Sequence, residues 1–248
     1  MKKETIFIAN WKMNLNIHTS EKLISVSREI IYENKKNIKI IFCPQFLLIP
    51  NLSRFFARNS NFYLGAQDCH YNVNGAFTGD SSIDLLKKFN CKYIISGHSE
   101  RRTVYKELSD DVCKKINLIN EFSLLPVLCI GESIEDRKNK NYLNFLSKQI
   151  LDSIPENTKQ LLIAYEPIWS IGTGIIPSVE EIEEISDFIK FCVNKNFPDI
   201  QDLKILYGGS VNSSNFEKII TISNINGCLV GGSSINEEEY VKMLKKLI

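Results

Sequence analysis

Residues 161–177 read Leu-Leu-Ile-Ala-Tyr-Glu-Pro-Ile-Trp-Ser-Ile-Gly-Thr-Gly-Ile-Ile-Pro, and this line holds a strand, a carboxylate and a hinged segment. Residues 161–164 form a short apolar run of the kind that lies in the middle of a parallel sheet. Glu166 stands where that run meets solvent. Pro167 fixes its own φ and biases Glu166 toward the extended region, so the carboxylate leaves the strand end in a restricted direction. Beyond it, Pro167, Ile168, Trp169 and Ile171 make an apolar lid. Gly172, Thr173 and Gly174 supply a hinge or bring backbone N–H groups close to an anion. A base, a lid and an anion cradle together point to chemistry that excludes water. The plain alternative is a turn with a solvated glutamate. A dinucleotide fingerprint is rejected, because Pro177 stands where its third glycine belongs.

Working outward, runs like 161–165 recur at residues 5–9, 38–43, 62–66, 93–96, 124–130, 205–207 and 227–230. The spacing between them is that of a strand followed by a helix. Residues 20–32 place Leu23, Ile24, Ser27, Ile30 and Ile31 on one helical face. Ser178 with Glu181 three places on reads as a capping box. Asn236, Glu237–Glu239 and the late Lys245 and Lys246 read as a final helix whose charges suit its dipole. Eight such units in 248 residues, with no linker, predict a single closed (β/α)8 barrel spanning 1–248, in preference to an open doubly wound sheet.

Composition narrows the function. A chain 44% hydrophobic and 24% charged, with formal net charge +1, is an ordinary globular protein and not a nucleic-acid or membrane-surface binder. Residues 5–9 are too short for a signal-peptide core, and no window is long enough to span a bilayer. Seven scattered cysteines fit free thiols in the cytoplasm, and three dispersed histidines give a metal site little support.

Barrel active sites sit at the carboxyl ends of the strands, so the residues after each run are the candidates. The first run delivers Asn10 and Lys12, a cation suited to a phosphate or to charge developing in reaction. The fourth delivers His98 at a helix start, where the imidazolium is disfavoured. His18 and His70 lack that setting and read as structural. Cys129 reads as an apolar filler rather than a nucleophile. Paired glycines after the seventh and eighth runs, 208–209 and 231–232, match a barrel phosphate site. After the third run, the polar stretch 68–80 exceeds the usual connection and carries Phe77 near its tip, which must be buried in the loop or against a partner.

Together, Asn10-Trp11-Lys12-Met13-Asn14, Gly75-Ala76-Phe77-Thr78-Gly79, Gly97-His98-Ser99-Glu100-Arg101-Arg102, Ala164-Tyr165-Glu166-Pro167, Ile171-Gly172-Thr173-Gly174, Tyr207-Gly208-Gly209-Ser210-Val211-Asn212 and Leu229-Val230-Gly231-Gly232 resemble the triosephosphate isomerase family over nearly the whole chain. The resemblance implies interconversion of dihydroxyacetone phosphate and glyceraldehyde 3-phosphate through an enediolate, in glycolysis and gluconeogenesis, with neither cofactor nor metal. By that resemblance Glu166 is the base, neutral His98 the electrophile, and Lys12 the stabilising cation. Asn10 touches the substrate oxygens, Glu100 lies beside Lys12, and Ser99 holds the base while the lid is open. Gly172, Ser210, Gly231 and Gly232 hold the phosphate, and Tyr207 with Ser210 latches the lid. Residues 68–80 become an arm inserted into a second copy, with Phe77 and Thr78 as contacts in a homodimer. The chain departs from the family pattern at Ser170, Lys106 and the hinge Ile175-Ile176-Pro177, where Pro177 restricts Ile176. An aldolase using Lys12 as a Schiff-base nucleophile and a non-catalytic dimeric barrel are the competing readings.

Overall fold

In the computed structural model, residues 3–31, 37–56, 61–171, 173 and 175–248 are described. The β-branched and aromatic runs form eight strands: β1 (Thr5–Asn10), β2 (Ile38–Cys43), β3 (Phe62–Ala66), β4 (Cys91–Ser96), β5 (Leu125–Ile130), β6 (Gln160–Tyr165), β7 (Asp202–Tyr207) and β8 (Ile225–Val230). They pair in parallel and in sequence order, and β8 returns to β1 through Ile6 beside Gly227 and Ala9 beside Val230. A closed sheet has no free edge, which removes the liability an open parallel sheet would carry.

Because successive side chains alternate, each strand feeds two cores. Ile6, Ile8, Ile41, Cys43, Ile95, Val127, Cys129, Leu162, Ala164, Leu206 and Leu229 fill the barrel. Phe7, Ala9, Phe42, Leu128, Ile163 and Tyr207 face the surrounding helices. Each fully buried aliphatic side chain contributes about 1.5–3 kcal/mol, so the two layers together supply most of the driving force for the fold.

The helices are α1 (Ile17–Ile31), α2 (Ile49–Leu52), α3 (Ile83–Lys88), α4 (Ser99–Val104), α5 (Ser109–Glu121), α6 (Ile134–Lys138), α7 (Tyr142–Ser153), α8 (Val179–Asn196), α9 (Phe216–Ile220) and α10 (Glu237–Lys245). α1 begins before the residue 20 expected from periodicity, because Asn16 caps it, its side chain accepting the Thr19 N–H at 3.0 Å. The expected end at Tyr32 lies outside the described residues. At α8 the capping box is present: the Ser178 hydroxyl accepts the Glu181 N–H at 3.2 Å, and the Glu181 carboxylate accepts the Ser178 N–H at 2.8 Å. No helix among the described residues is long and apolar enough to cross a membrane.

Residues 67–82 connect β3 to α3 without helix or strand. Beneath them lies a buried charge cluster. Lys115 of α5 pairs with Asp68 at 2.6 Å and with Glu107, and Arg101 reaches Asp68 at 2.8 Å and Glu107 at 3.3 Å. Burial pushes the Asp68 carboxyl up to about 6 against the pull of Lys115 and Arg101. For Glu107 burial works the same way, but Lys115 and Arg101 outweigh it and hold the carboxyl low.

Candidate active site

β4 ends at Ser96, and Gly97 turns the chain with φ +71°, a conformation that favours glycine. His98 then caps α4. Its Nδ1 accepts the Glu100 N–H at 3.2 Å, which leaves the proton on Nε2. That Nε2 lies 3.0 Å from Oε1 of Glu166. The other carboxylate oxygen accepts the Ser99 N–H at 2.9 Å. Glu166 follows β6 directly, its own N–H held by the Ile130 carbonyl at 2.7 Å. Both side chains are buried.

Burial opposes charge on each of these two groups, and each offsets it for the other. The Glu166 carboxylate outweighs desolvation and raises the His98 pKa. His98, the Ser99 N–H and Lys12 outweigh desolvation and lower the Glu166 pKa. The helix start does meet the imidazole as the sequence leads one to expect, yet the net shift at His98 is upward. The reason is a carboxylate contributed by a different strand.

Lys12 is held at φ +50°, a left-handed conformation uncommon for lysine. Asn10 Oδ1 accepts its N–H at 3.1 Å, and Gln67 donates to its carbonyl at 2.8 Å. These contacts sustain a strained backbone at the mouth of the barrel. Its Nζ lies 2.5 Å from Oε1 of Glu100, and its stem crosses Gly231 so closely that a Cβ there would be 3.0 Å from Lys12 Cε.

Asn10, Lys12, His98, Glu166, Ile171, Ile176, Ser210, Gly231 and Gly232 line one cavity of about 400 Å³. The paired glycines divide their duties. Gly208 makes room for the Glu166 side chain, since a Cβ there would stand 2.9 Å from Glu166 Cγ. A Cβ on Gly232, by contrast, would meet nothing within 4 Å, so its backbone is open to a ligand. Gly172 and Gly174 lie outside the described residues.

The segment that follows Glu166 is anchored at its start by a residue whose role periodicity does not reveal. Glu132 is fully buried. Its Oε1 accepts both the Tyr165 hydroxyl and the Trp169 indole N–H at 2.9 Å, and its carbonyl accepts the Ile168 N–H at 3.1 Å. Further along, the Thr173 hydroxyl donates to the Trp169 carbonyl at 3.0 Å. Ser210, just beyond β7, donates to the Ser170 carbonyl at 2.6 Å. The Tyr207 hydroxyl has no hydrogen-bond partner. Cys129 is fully buried, and burial pushes its thiol well up, in keeping with a filler.

Phe77 and Thr78 are exposed, and Phe77 stacks on His70 with ring centroids 3.9 Å apart. The loop therefore covers only part of Phe77. Gln67, Glu132 and Lys115 escape motif reading. Gln67 and Glu132 carried one signal, their places just after β3 and β5, and Lys115 carried none.

The family profile described as Triosephosphate isomerase matches residues 5–247. The chain belongs to the triosephosphate isomerase family. It is 38% identical over 252 residues to triosephosphate isomerase of Amoebophilus asiaticus, covering 99% of this chain and 100% of that protein. The same enzyme of Wigglesworthia glossinidia brevipalpis is 39% identical, over 98% of this chain and 96% of that one. Among solved structures, triosephosphate isomerase of Bartonella henselae superposes with a TM-score of 0.88 at 29% identity, covering 98% of this chain and 99% of that one.

Proposed function

We propose that Glu166, His98 and Lys12 together carry the reaction this chain performs as a member of the triosephosphate isomerase family, the interconversion of dihydroxyacetone phosphate and D-glyceraldehyde 3-phosphate in glycolysis and gluconeogenesis. The observation that carries the assignment is the 3.0 Å contact between Glu166 and His98 in the wall of the cavity that Lys12 and Gly232 also line. Glu166, ionised at neutral pH, moves a proton between C1 and C2. The proton on His98 Nε2 serves the substrate oxygens in turn as negative charge passes between them. When Glu166 turns to the substrate carbon, the influence that raises the His98 pKa departs with it, and burial then favours the neutral ring. Lys12 and Asn10 stabilise the enediolate oxygens. Ser210 and the backbone of Gly231 and Gly232 hold the phosphate, with Gly172 in the same role by family resemblance. The lid residues Pro167, Ile168, Trp169, Ile171, Thr173 and Gly174 exclude water.

A coupled assay with both triose phosphates tests this. Turnover in the unmodified chain, lost in Glu166→Gln and in Lys12→Met, is expected. Full activity in either variant overturns the assignment. An aldolase mechanism predicts instead that borohydride traps substrate on Lys12.

The working form in this reading is a homodimer in the cytoplasm. The loop 68–80 of one copy reaches into a groove of about 170 Å³ on the other, lined by Met13, Phe46, Gln67, Glu100, Arg101 and Tyr105. Exposed Met13, Phe77 and Tyr105 support it, since apolar side chains of this size are costly in water. The seven free cysteines suit a reducing compartment.

A further inference from the structure

Ser170 sits midway along the lid with no exposed surface. Its hydroxyl donates to the Ile175 carbonyl at 2.7 Å and so ties one arm of the lid to the other. Its carbonyl accepts the Ser210 hydroxyl at 2.6 Å and the Thr173 hydroxyl at 3.2 Å. One buried residue therefore joins both arms of the lid to the end of β7.

Beside it lies the Tyr207 hydroxyl, buried and without a hydrogen bond. A Cβ on Gly209 would be 2.3 Å from that oxygen and 3.1 Å from Pro167 Cγ, so the phenol packs directly under the start of the lid. Burial drives the phenol pKa up, and the Ser170 hydroxyl tempers the rise. The Tyr207 oxygen lies against Gly209, next in the chain to the Ser210 that holds Ser170, yet it makes no hydrogen bond of its own. A buried hydroxyl without a partner is costly. The far hinge supplies no donor at Pro177, which lacks an N–H. Ser170 has the right capacity: one proton, already given to Ile175, and lone pairs still free to accept.

We propose that Ser170 is a positioning residue for the isomerisation, clamping the two arms of the lid and accepting the Tyr207 hydrogen bond when a triose phosphate fills the cavity. This rests on the isomerase reading above. The consequence is chemical. In an enediolate that escapes the closed site, the bond between carbon and the phosphate oxygen breaks. Phosphate leaves C3 with the bonding pair, the C1–C2 double-bond pair moves to form a C2–C3 double bond, and the pair on the C1 enediolate oxygen forms a carbonyl. A lid held by Ser170 suppresses that loss.

The test compares the unmodified chain with Ser170→Ala, Tyr207→Phe and the double variant. It measures inorganic phosphate released per isomerisation and the dissociation constant of 2-phosphoglycolate, a carboxylate that mimics the enediolate. Each single variant is expected to raise phosphate release, and to weaken the analogue, by roughly three- to thirty-fold, with a much smaller change in KM. The double variant is expected to be no worse than the poorer single one, since both remove one bond. Unchanged phosphate release in Ser170→Ala, or effects that multiply in the double variant, overturns the proposal. Should Ser170→Ala not fold, Tyr207→Phe decides alone, and unchanged release there overturns it equally. Isomerase turnover by the unmodified chain tests the parent reading independently, so the two failures are told apart.

Discussion

The carboxylate of Glu166 and the imidazole of His98 lie 3.0 Å apart although they leave different strands, β6 and β4. Neither sits on a mobile side branch of the fold. Glu166 follows β6 directly and His98 follows β4 after the single turn residue Gly97, and the barrel fixes the distance between the strand ends. The pair is thereby placed before any substrate arrives.

Replacing Glu166 should separate binding from chemistry. Glu166→Gln keeps the shape of the side chain and removes its ability to take a proton. We expect kcat to fall by about 10²–10⁴-fold, with a much smaller change in the affinity for 2-phosphoglycolate, measured by coupled assay and by titration calorimetry.

The same pair makes stability depend on pH in a defined sense. His98 has its pKa raised from 6.5, so its contribution is complete below that value and is lost as pH rises through the folded-state pKa. Glu166 has its pKa lowered from 4.5, so its contribution is present above that value and is lost as pH falls through the folded-state pKa. Both act between 4.5 and 6.5. Denaturant melts should therefore show His98→Gln further below the unmodified chain at about pH 5.5 than at about pH 8. An equal gap at both would contradict the linkage.

The cluster under residues 67–82 should be the costliest electrostatic site to disturb. Lys115→Met leaves Asp68 and Glu107 buried with Arg101 as their remaining close cation. Breaking a buried pair from one side typically costs about 3–5 kcal/mol, readable as a drop in the urea midpoint. A loss below about 1 kcal/mol, the level of an exposed pair, would mean that the site tolerates the loss of its lysine.

For assembly, the groove beside Lys12 makes a specific forecast. Thr78→Arg brings a side chain much larger than threonine to a groove of only about 170 Å³, and it should shift sedimentation from dimer to monomer. Activity is then expected to fall with it, because Lys12 and Glu100 line the same groove. A monomer as the unmodified species would set the dimer aside.

Much of this was legible along the chain. β2 and β3 begin and end where the apolar runs do, at Ile38–Cys43 and Phe62–Ala66, because a parallel strand covered on both faces is written as a continuous apolar stretch. The Ser178 cap was equally plain, being a local arrangement over three residues. Glu132 was not, since a buried acid owes its place to Tyr165 and Trp169, which reach it from β6 and from the lid. The upward shift at His98 was hidden for a similar reason: the helix start beside it is local, while the carboxylate that outweighs it comes from another strand.

By itself the sequence determined the eight repeating units, the strand ends at which Asn10, His98 and Glu166 appear, and the family, for these depend on periodicity and on residue type at short spacing. Only the tertiary structure decided which groups meet at bonding distance: Glu166 with His98, Lys115 with Asp68, and Glu132 with Tyr165 and Trp169. Those meetings depend on closing the barrel, which brings distant strand ends to one rim at distances that no local pattern encodes.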